Sequence, residues 1–165
     1  MPNKLLISDA NILIDMEVAG LLEDMFRLEY EFAVPDILFH DELSDHHPNL
    51  PNIGLSILEM KAECVQAAFE LVEQYGKSGA SRYDLSALAL AQDKKCPLLS
   101  GDRILRKICR QMKQEIHGTL WLMEQMFQSG IIDSKSAESA YEKMKNQQRR
   151  LPWKEVGLQI NRFER

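Results

Sequence analysis

The stretch Lys4-Leu5-Leu6-Ile7-Ser8-Asp9-Ala10-Asn11 joins an apolar run to an acid at the start of a helical pattern. Its first five residues have the length and composition of a short buried strand. Similar runs at 32–35 and 97–100 are also flanked by helical patterns. This alternation of strands and helices predicts an α/β fold with a parallel sheet covered by helices.

Helical patterns and two shorter segments complete the chain. Periodic apolar positions predict helices over 12–28, 36–45, 59–75, 82–93, 103–113, 118–128 and 134–148. Residues 53–58 fit either a strand or the start of a helix, and residues 114–117 favour another short strand. We expect Ser134 to cap the last helix. We interpret residues 153–165, which follow Pro152, as a short basic tail.

The composition is typical of one globular domain. The chain has 165 residues, of which 45 % are apolar, enough for a hydrophobic core. No apolar run approaches the roughly 18 residues of a membrane span, and the first strand begins too close to Met1 for a signal peptide. The three cysteines are widely spaced and odd in number, so we expect no disulfide framework and a cytoplasmic setting.

Charge is distributed unevenly along the chain. The formal net charge is −5, and residues 1–60 hold twelve acids against two bases. Residues 94–113 hold seven bases against one acid, and residues 141–165 hold seven bases against three acids. The overall acidity argues against a general nucleic-acid coat protein. A negative site flanked by positive surfaces is nevertheless what a nuclease requires.

Four acids stand where apolar segments turn into helices or loops. Asp9 ends the first run, Glu42 follows the second, Asp84 opens an apolar helix, and Asp102 follows the run at 97–100. If the runs are neighbouring parallel strands, these acids meet at one edge of the sheet. Gathered carboxylates repel one another unless a cation lies between them. Carboxylates with water suit Mg²⁺ or Mn²⁺, whereas Zn²⁺ sites usually recruit His or Cys.

Each acid also has an ordinary structural explanation when it is taken alone. Asp9 and Asp102 could each cap the helix that follows. Asp84 could complete a capping box with Ser81, and Glu42 could be a solvent-facing helix residue. Their occurrence together at the predicted strand ends favours a shared metal site.

Polar and basic residues near these acids have two interpretations each. Asn11 and Ser100 would either orient the carboxylates and hold metal-bound water, or serve the turns in which they stand. A basic stripe on one helix face would either hold RNA phosphates beside Asp102 or face solvent. Arg149 and its basic neighbours would serve the same purpose or meet an acidic partner. The stripe consists of Arg103, Arg106, Lys107 and Arg110.

The four acidic segments, taken in order, resemble the motifs of PIN domains. Residues 6–15 resemble the opening motif, and Val34-Pro35 followed by Glu42-Leu43 resembles the second. Residues 84–91 resemble the third motif and residues 98–102 the fourth. The resemblance covers about residues 4–130. It implies a three-layer α/β/α fold around a mostly parallel sheet.

The resemblance also implies an activity and partners. PIN domains hydrolyse RNA phosphodiester bonds with Mg²⁺ or Mn²⁺, and the four acids match the family's metal-binding residues. Many small members are toxins of toxin–antitoxin pairs, which form homodimers and are blocked by an antitoxin. Residues 1–133 would then be the nuclease domain, and 134–165 a C-terminal helix and basic tail that packs on it or extends it.

Two departures from the family pattern bear on the metal site. Ala10 stands where a threonine is common, and Arg103 to Arg106 occupy a region where some members carry a further acid. One metal ion and two therefore both remain open. The alternative to a nuclease is a non-catalytic PIN-like module that binds RNA or a protein.

Overall fold

The computed structural model describes residues 4–165, and its centre is a five-stranded, entirely parallel sheet. The prediction that no signal peptide precedes the first strand rests partly on residues 1–3, which lie outside this range. The sheet has the order β3-β2-β1-β4-β5. The strands are β1 (Lys4–Ser8), β2 (Tyr30–Pro35), β3 (Ser56–Leu58), β4 (Leu98–Leu99) and β5 (Ile116–His117).

Ten α-helical segments in the described range surround the sheet. They are α1 (Ala10–Ala19), α2 (Leu22–Met25), α3 (Asp36–Leu38), α4 (Leu50–Ile53), α5 (Ala62–Tyr75), α6 (Arg82–Lys94), α7 (Arg103–Met112), α8 (Thr119–Gln128), α9 (Ser134–Asn146) and α10 (Trp153–Phe163). A π-helical turn follows α3 at Phe39–Leu43, and a 3₁₀ turn follows α5 at Gly76–Ser78.

The direction in which strands are added reverses between β1 and β4. From β1 the chain adds β2 and β3 on one side, then returns to place β4 and β5 on the other. Ile7 accordingly lies between Ala33 of β2 and Leu98 of β4. Because crossovers between parallel strands are right-handed, the two directions place their helices on opposite faces of the sheet. The predicted parallel sheet with helices on both faces is confirmed.

The helix contacts agree with this arrangement in layers. Helix α6 packs on β1, β2 and β4 and against α5 and α7, whereas α1 packs against α2, α8 and α9. Residues Leu85 to Ala91 of α6 are all buried, as its apolar sequence predicts. This burial fixes the start of α6, and with it Asp84, against the sheet.

The predicted helix over 12–28 is wrong in its extent. Helix α1 ends at Gly20, which has φ 74° and whose N–H donates to the carbonyl of Glu17. Leu21 N–H donates to the carbonyl of Met16, which completes a left-handed C-terminal cap. The chain then restarts as the short helix α2. The glycine, not the apolar periodicity, decides where the helix stops.

The C-terminal segment is more ordered than its sequence suggests. The cap of α9 is Asp133, whose side chain accepts from Ser136 N–H at 2.8 Å, and not Ser134 as expected. The predicted tail forms helix α10 over most of its length and buries Val156, Gln159 and Phe163. The α9 helix packs on α1, and α10 packs on α8 and α9. The division of the chain near residue 133 stays a prediction.

Two further features of the described chain concern membrane spans and cysteines. No helix between residues 4 and 165 is both long enough and apolar enough to cross a bilayer. Cys64, Cys96 and Cys109 are free thiols.

Candidate active site

The candidate site lies at the carboxyl ends of β1 and β4, where the strand order reverses. Asp9 follows β1, and its N–H donates to the carbonyl of Leu99 at 2.9 Å. Ser100 follows β4, and its N–H donates to the carbonyl of His117 at 2.9 Å. Ligand sites of open parallel sheets lie at such reversal points because the loops there diverge and leave a crevice.

Asp9 is fully buried and held through both carboxylate oxygens. Its Oδ1 accepts from Ile12 N–H at 3.0 Å, which caps α1. Its Oδ2 accepts from the Ser100 hydroxyl at 2.5 Å. The same hydroxyl accepts from Asp102 N–H at 3.1 Å, so Ser100 links the two acids. Ser100 thus contacts Asp9 and also serves the turn that leads to α7, so both interpretations of its hydroxyl describe real contacts. Its role beside a metal ion stays a prediction.

The environment of Asp9 disfavours its charged form. Burial raises the pKa of Asp9 from 3.8 to about 7, against the lowering effect of the hydrogen bonds from Ser100 and Ile12. The negative charges of Asp84 and Asp15 raise this pKa further. A carboxyl with such a pKa keeps a proton near neutrality unless a cation replaces it.

Asp84 and Asp102 also sit at helix starts. Ser81 caps α6 by accepting from Asp84 N–H at 3.0 Å. Asp102 caps α7, since its Oδ2 accepts from Leu105 N–H at 2.8 Å. Burial raises the pKa of Asp84, hydrogen bonds from Ser81 lower it, and the charge of Asp102 raises it. The capping interpretation is therefore correct for three acids, and it coexists with their electrostatic coupling.

A π-helical turn carries the fourth acid. The predicted helix over 36–45 divides into α3 and the turn Phe39–Leu43, in which Ser44 N–H donates to the carbonyl of Phe39 at 2.8 Å. Such turns close a hydrogen bond between residues five apart, one more than in an α-helix, and often occur at functional sites. Phe39 and Leu43 are buried, so the turn is held by the core while the residues between them reach the surface.

Glu42 is exposed, yet neighbouring acids affect its pKa. Desolvation raises its pKa, and the charges of Asp84 and Asp41 raise it further. The neighbouring Asp41 is engaged elsewhere: its Oδ2 accepts from the Tyr83 hydroxyl at 2.8 Å and lies 3.6 Å from Arg82. This difference favours Glu42 over Asp41 as the member of the acidic cluster, which we define as Asp9, Glu42, Asp84 and Asp102.

Comparison with known proteins identifies the family. A family model described as PIN domain, DUF3368, matches residues 5–165. The chain belongs to this PIN-domain family. No curated protein sequence matches it. Among solved structures, it is similar to the crystal structure of PAE2754 from Pyrobaculum aerophilum, with a TM-score of 0.50 and 17 % identity over 76 % of this chain and 90 % of that chain. At this identity the likeness shows the fold alone.

The donor set of this PIN domain fits a hard divalent ion. None of the ion pairs within residues 4–165 involves the acidic cluster. Over the same range, no three acid, histidine or cysteine side chains lie close enough to share one ion directly. Mg²⁺ usually takes one or two carboxylates and keeps several waters. The described chain therefore does not bring the four predicted acids together as direct ligands of one ion, and an ion here would take one or two carboxylates and fill its remaining positions with water. PIN domains typically use a divalent metal.

The four bases of the predicted stripe differ in their surroundings. Arg103, Lys107 and Arg110 are exposed on α7. Arg106 is half-buried, and its Nε donates to the carbonyl of Ser100 at 3.4 Å. Its guanidinium lies over Gly118, where an added Cβ would be 2.2 Å from an Arg106 terminal nitrogen. Arg106 thus supports the loop of Ser100, whereas the other three face solvent.

One buried network beside the site escaped prediction from the sequence. Asp15 is buried, its Oδ2 accepts from the Thr119 hydroxyl at 2.9 Å, and its Oδ1 accepts from Arg149 Nε at 2.6 Å. Arg149 also donates to Asn11 Oδ1 at 3.4 Å. The sequence does hold one sign of this network: Asp15 interrupts an apolar helix face, and a buried acid requires a partner. Its partners, however, come from distant parts of the chain.

Proposed function

We propose that this PIN domain is a Mg²⁺- or Mn²⁺-dependent endoribonuclease of the cytoplasm and the toxin of a toxin–antitoxin pair. One observation carries the proposal. The acidic cluster comes from four separate segments, and none of its members is paired with a base in the described chain. The charge of Asp84 raises the pKa of Asp9 and of Glu42, and the charge of Asp102 raises the pKa of Asp84. Uncompensated carboxylates of this kind are retained where a cation uses them.

In this proposal each of the four acids has its own part in binding the ion. Asp9 is the most rigid acid, because Ile12 and Ser100 fix both of its oxygens, and it gives up its proton when a cation binds. Asp102 is held beside it through the Ser100 hydroxyl. Asp84 and Glu42 add further negative charge, and the charge of Asp84 reaches both Asp9 and Glu42. When bound, the divalent ion lowers the pKa of a water molecule and neutralises charge at the attacked phosphate.

The exposed bases of α7 support RNA as the substrate. Arg103, Lys107 and Arg110 are exposed on the helix that Asp102 caps, and Arg103 follows Asp102 directly in the sequence. Contacts to phosphates position a strand without reading its sequence. The negative site would repel the RNA backbone by itself, and these bases offset that repulsion.

Cleavage of a labelled single-stranded RNA pool tests the proposal, with Mg²⁺, Mn²⁺ or EDTA present. Wild type and Asp9→Asn are compared after far-UV circular dichroism has shown that both are folded. We expect metal-dependent cutting by the wild type, with 5′-phosphate and 3′-hydroxyl ends as the family resemblance implies, and none by the variant. Equal cutting by a purified Asp9→Asn protein would refute the assignment.

The toxin role and its partners require tests of their own. We propose a homodimer that an antitoxin inhibits at the acidic cluster, as the resemblance implies. Light scattering of the purified chain gives the oligomeric state. Growth arrest on expression of the wild type, relieved by Asp9→Asn or by co-expression of the protein encoded beside it, would support the toxin. Normal growth with an active enzyme would instead indicate a housekeeping nuclease.

A binding module without catalysis is the second candidate. The observation that favours it is the engagement of both Asp9 oxygens within the protein. A module of this type would bind RNA equally well with Mg²⁺ or EDTA and give no Mg²⁺ heat in calorimetry. The nuclease proposal requires measurable Mg²⁺ binding that Asp84→Asn weakens.

A further inference from the structure

The guanidinium of Arg149 lies along the first helix of the acidic site. Its Nε donates to Asp15 Oδ1 at 2.6 Å, and Nη2 donates to Asn11 Oδ1 at 3.4 Å. Asn11 and Asp15 are four residues apart and therefore share one face of α1. Asn11 is only two residues beyond Asp9. Arg149 thus extends from a buried anchor towards the edge of the site.

The backbone of Arg149 is fixed independently of this contact. Its N–H donates to the carbonyl of Met144 at 2.9 Å, and Gln148 N–H donates to the carbonyl of Lys145 at 3.0 Å. Gln148 has φ 59°, so the two bonds form a left-handed cap at the end of α9. Since α9 packs on α1, the side chain starts from a defined position beside that helix.

The Asp15 end of the contact is held equally firmly. The Asp15 side chain is 8 % exposed and that of Arg149 is 25 % exposed. Thr119 donates to the second Asp15 oxygen at 2.9 Å. An arginine presents Nε and one terminal nitrogen side by side in a rigid plane. The Asp15 pair therefore brings Nη2 to the neighbourhood of Asn11, and the contact with Asn11 Oδ1 completes its orientation.

This contact determines which end of the Asn11 amide faces outward. A guanidinium carries only donors, so it binds Oδ1 and excludes Nδ2. The Nδ2 donors of Asn11 are then directed away from Arg149. The side chain of Asn11 is exposed beside the acidic cluster, where an RNA phosphate would lie if the proposed function is correct.

We propose that Arg149 is a positioning residue of the active site, which holds the Asn11 amide so that its Nδ2 donates to a phosphate oxygen of the bound RNA. The proposal rests on the proposed nuclease function. It gives the C-terminal segment, residues 134–165, a part in catalysis, since that segment supplies the arginine that orients a side chain of the first motif.

The variants Arg149→Met and Arg149→Lys separate positioning from stability. The methionine removes both contacts, whereas the lysine keeps a cation for Asp15 but lacks the planar fork that reaches Asn11. Arg162→Met is the matched control, because Arg162 forms another arginine–carboxylate contact of the C-terminal segment, to Glu124 Oε1 at 2.7 Å, on α8. All variants are compared below their unfolding temperatures.

Two measurements test whether Arg149 positions Asn11. In NMR spectra, the Asn11 side-chain amide signals, assigned by their loss in Asn11→Ala, shift in both Arg149 variants and stay in place in Arg162→Met. In RNA cleavage, kcat falls about 10- to 100-fold in both Arg149 variants, as is usual for residues that orient a site. Arg149→Met has no further effect in the Asn11→Ala background. Arg149→Lys unfolds close to the wild-type temperature.

Three results would overturn the proposal. They are full kcat in Arg149→Lys, independent losses of kcat from Asn11→Ala and Arg149→Met, and unchanged Asn11 amide signals in Arg149→Met. If the wild type cleaves no RNA, the proposed function fails, and the amide signals alone then decide whether Arg149 orients Asn11.

Discussion

The Ser100 hydroxyl donates to Asp9 Oδ2 at 2.5 Å, although the two residues are 91 positions apart in the sequence. Both residues are fully buried. Burial raises the pKa of Asp9, and this hydrogen bond is the largest effect that opposes the rise. The contact therefore joins the ends of β1 and β4 and also sets how readily Asp9 gives up its proton.

Ser100→Ala should raise the pKa of Asp9 above its value of about 7 in the wild type. The charged carboxylate loses a hydrogen bond, whereas the neutral acid loses less. Mg²⁺ binding at pH 7 should weaken and recover at higher pH, because the ion requires the deprotonated form. Carbon-13 NMR titration of the Asp9 carboxyl measures the pKa directly. Ser44→Ala removes an exposed serine hydrogen bond, to the His40 carbonyl, and is the control. An unchanged Asp9 pKa in Ser100→Ala would contradict the assigned role.

Without metal, the stability of the wild type should fall as pH rises. The folded-state pKa of Asp9 is about 7 and its ordinary value is 3.8, so the folded state binds more protons between these values. The contribution of Asp9 to the free energy of unfolding is fully present below about pH 4 and falls progressively as the pH rises. It is fully lost above about pH 7, and its total is on the order of 4 kcal/mol. Asp9→Asn, which still caps α1, should lack this component. Urea unfolding in EDTA from pH 5 to 8 measures it, and parallel pH dependences of the two proteins would disprove the Asp9 shift.

Two glycines should respond to alanine with opposite signs. Gly157 lies inside α10 with open space around it, so Gly157→Ala should stabilise the protein by about 1 kcal/mol. Gly20 has φ 74° at the end of α1, where a Cβ is strained, so Gly20→Ala should destabilise by about 1 kcal/mol. Thermal unfolding compares the two. A stabilising Gly20→Ala would show that α1 continues past residue 20, as the apolar periodicity suggested.

The sheet and the position of the acids were predictable because local sequence determines them. Strands β1 and β4 lie in short apolar runs, and Asp9 follows β1 directly while Asp102 follows β4 after two residues. Their place at the carboxyl edge then follows from the parallel order. The same positions also favour helix caps. The sequence presented capping and metal binding as alternatives, whereas the folded chain satisfies both because a carboxylate can accept a helix N–H and still contribute charge.

The remaining features depend on contacts that no local pattern encodes. Arg149 meets Asp15 across 134 residues, and its sequence surroundings are those of a solvated base. Helix α10 has weak local signals, and it forms because Val156 and Phe163 are buried against the rest of the domain. The π-helical turn at Phe39–Leu43 is likewise imposed by packing, since both end residues are buried. Such tertiary effects override local propensity.

The most direct test of the central claim compares two helix-capping aspartates. Asp102 caps α7 within the acidic cluster, and Asp133 caps α9 outside it, each by accepting an N–H three residues ahead at 2.8 Å. Asn preserves either cap. Both variants therefore lose one negative charge and keep the helix cap, but only Asp102→Asn loses that charge from the acidic cluster. The measurement is the rate of Mg²⁺-dependent RNA cleavage by both variants. We expect a loss of at least about 10-fold in Asp102→Asn, the smallest loss usual for residues around a metal site, and wild-type activity in Asp133→Asn. Equal activity of the two variants would contradict a metal-dependent site at these acids.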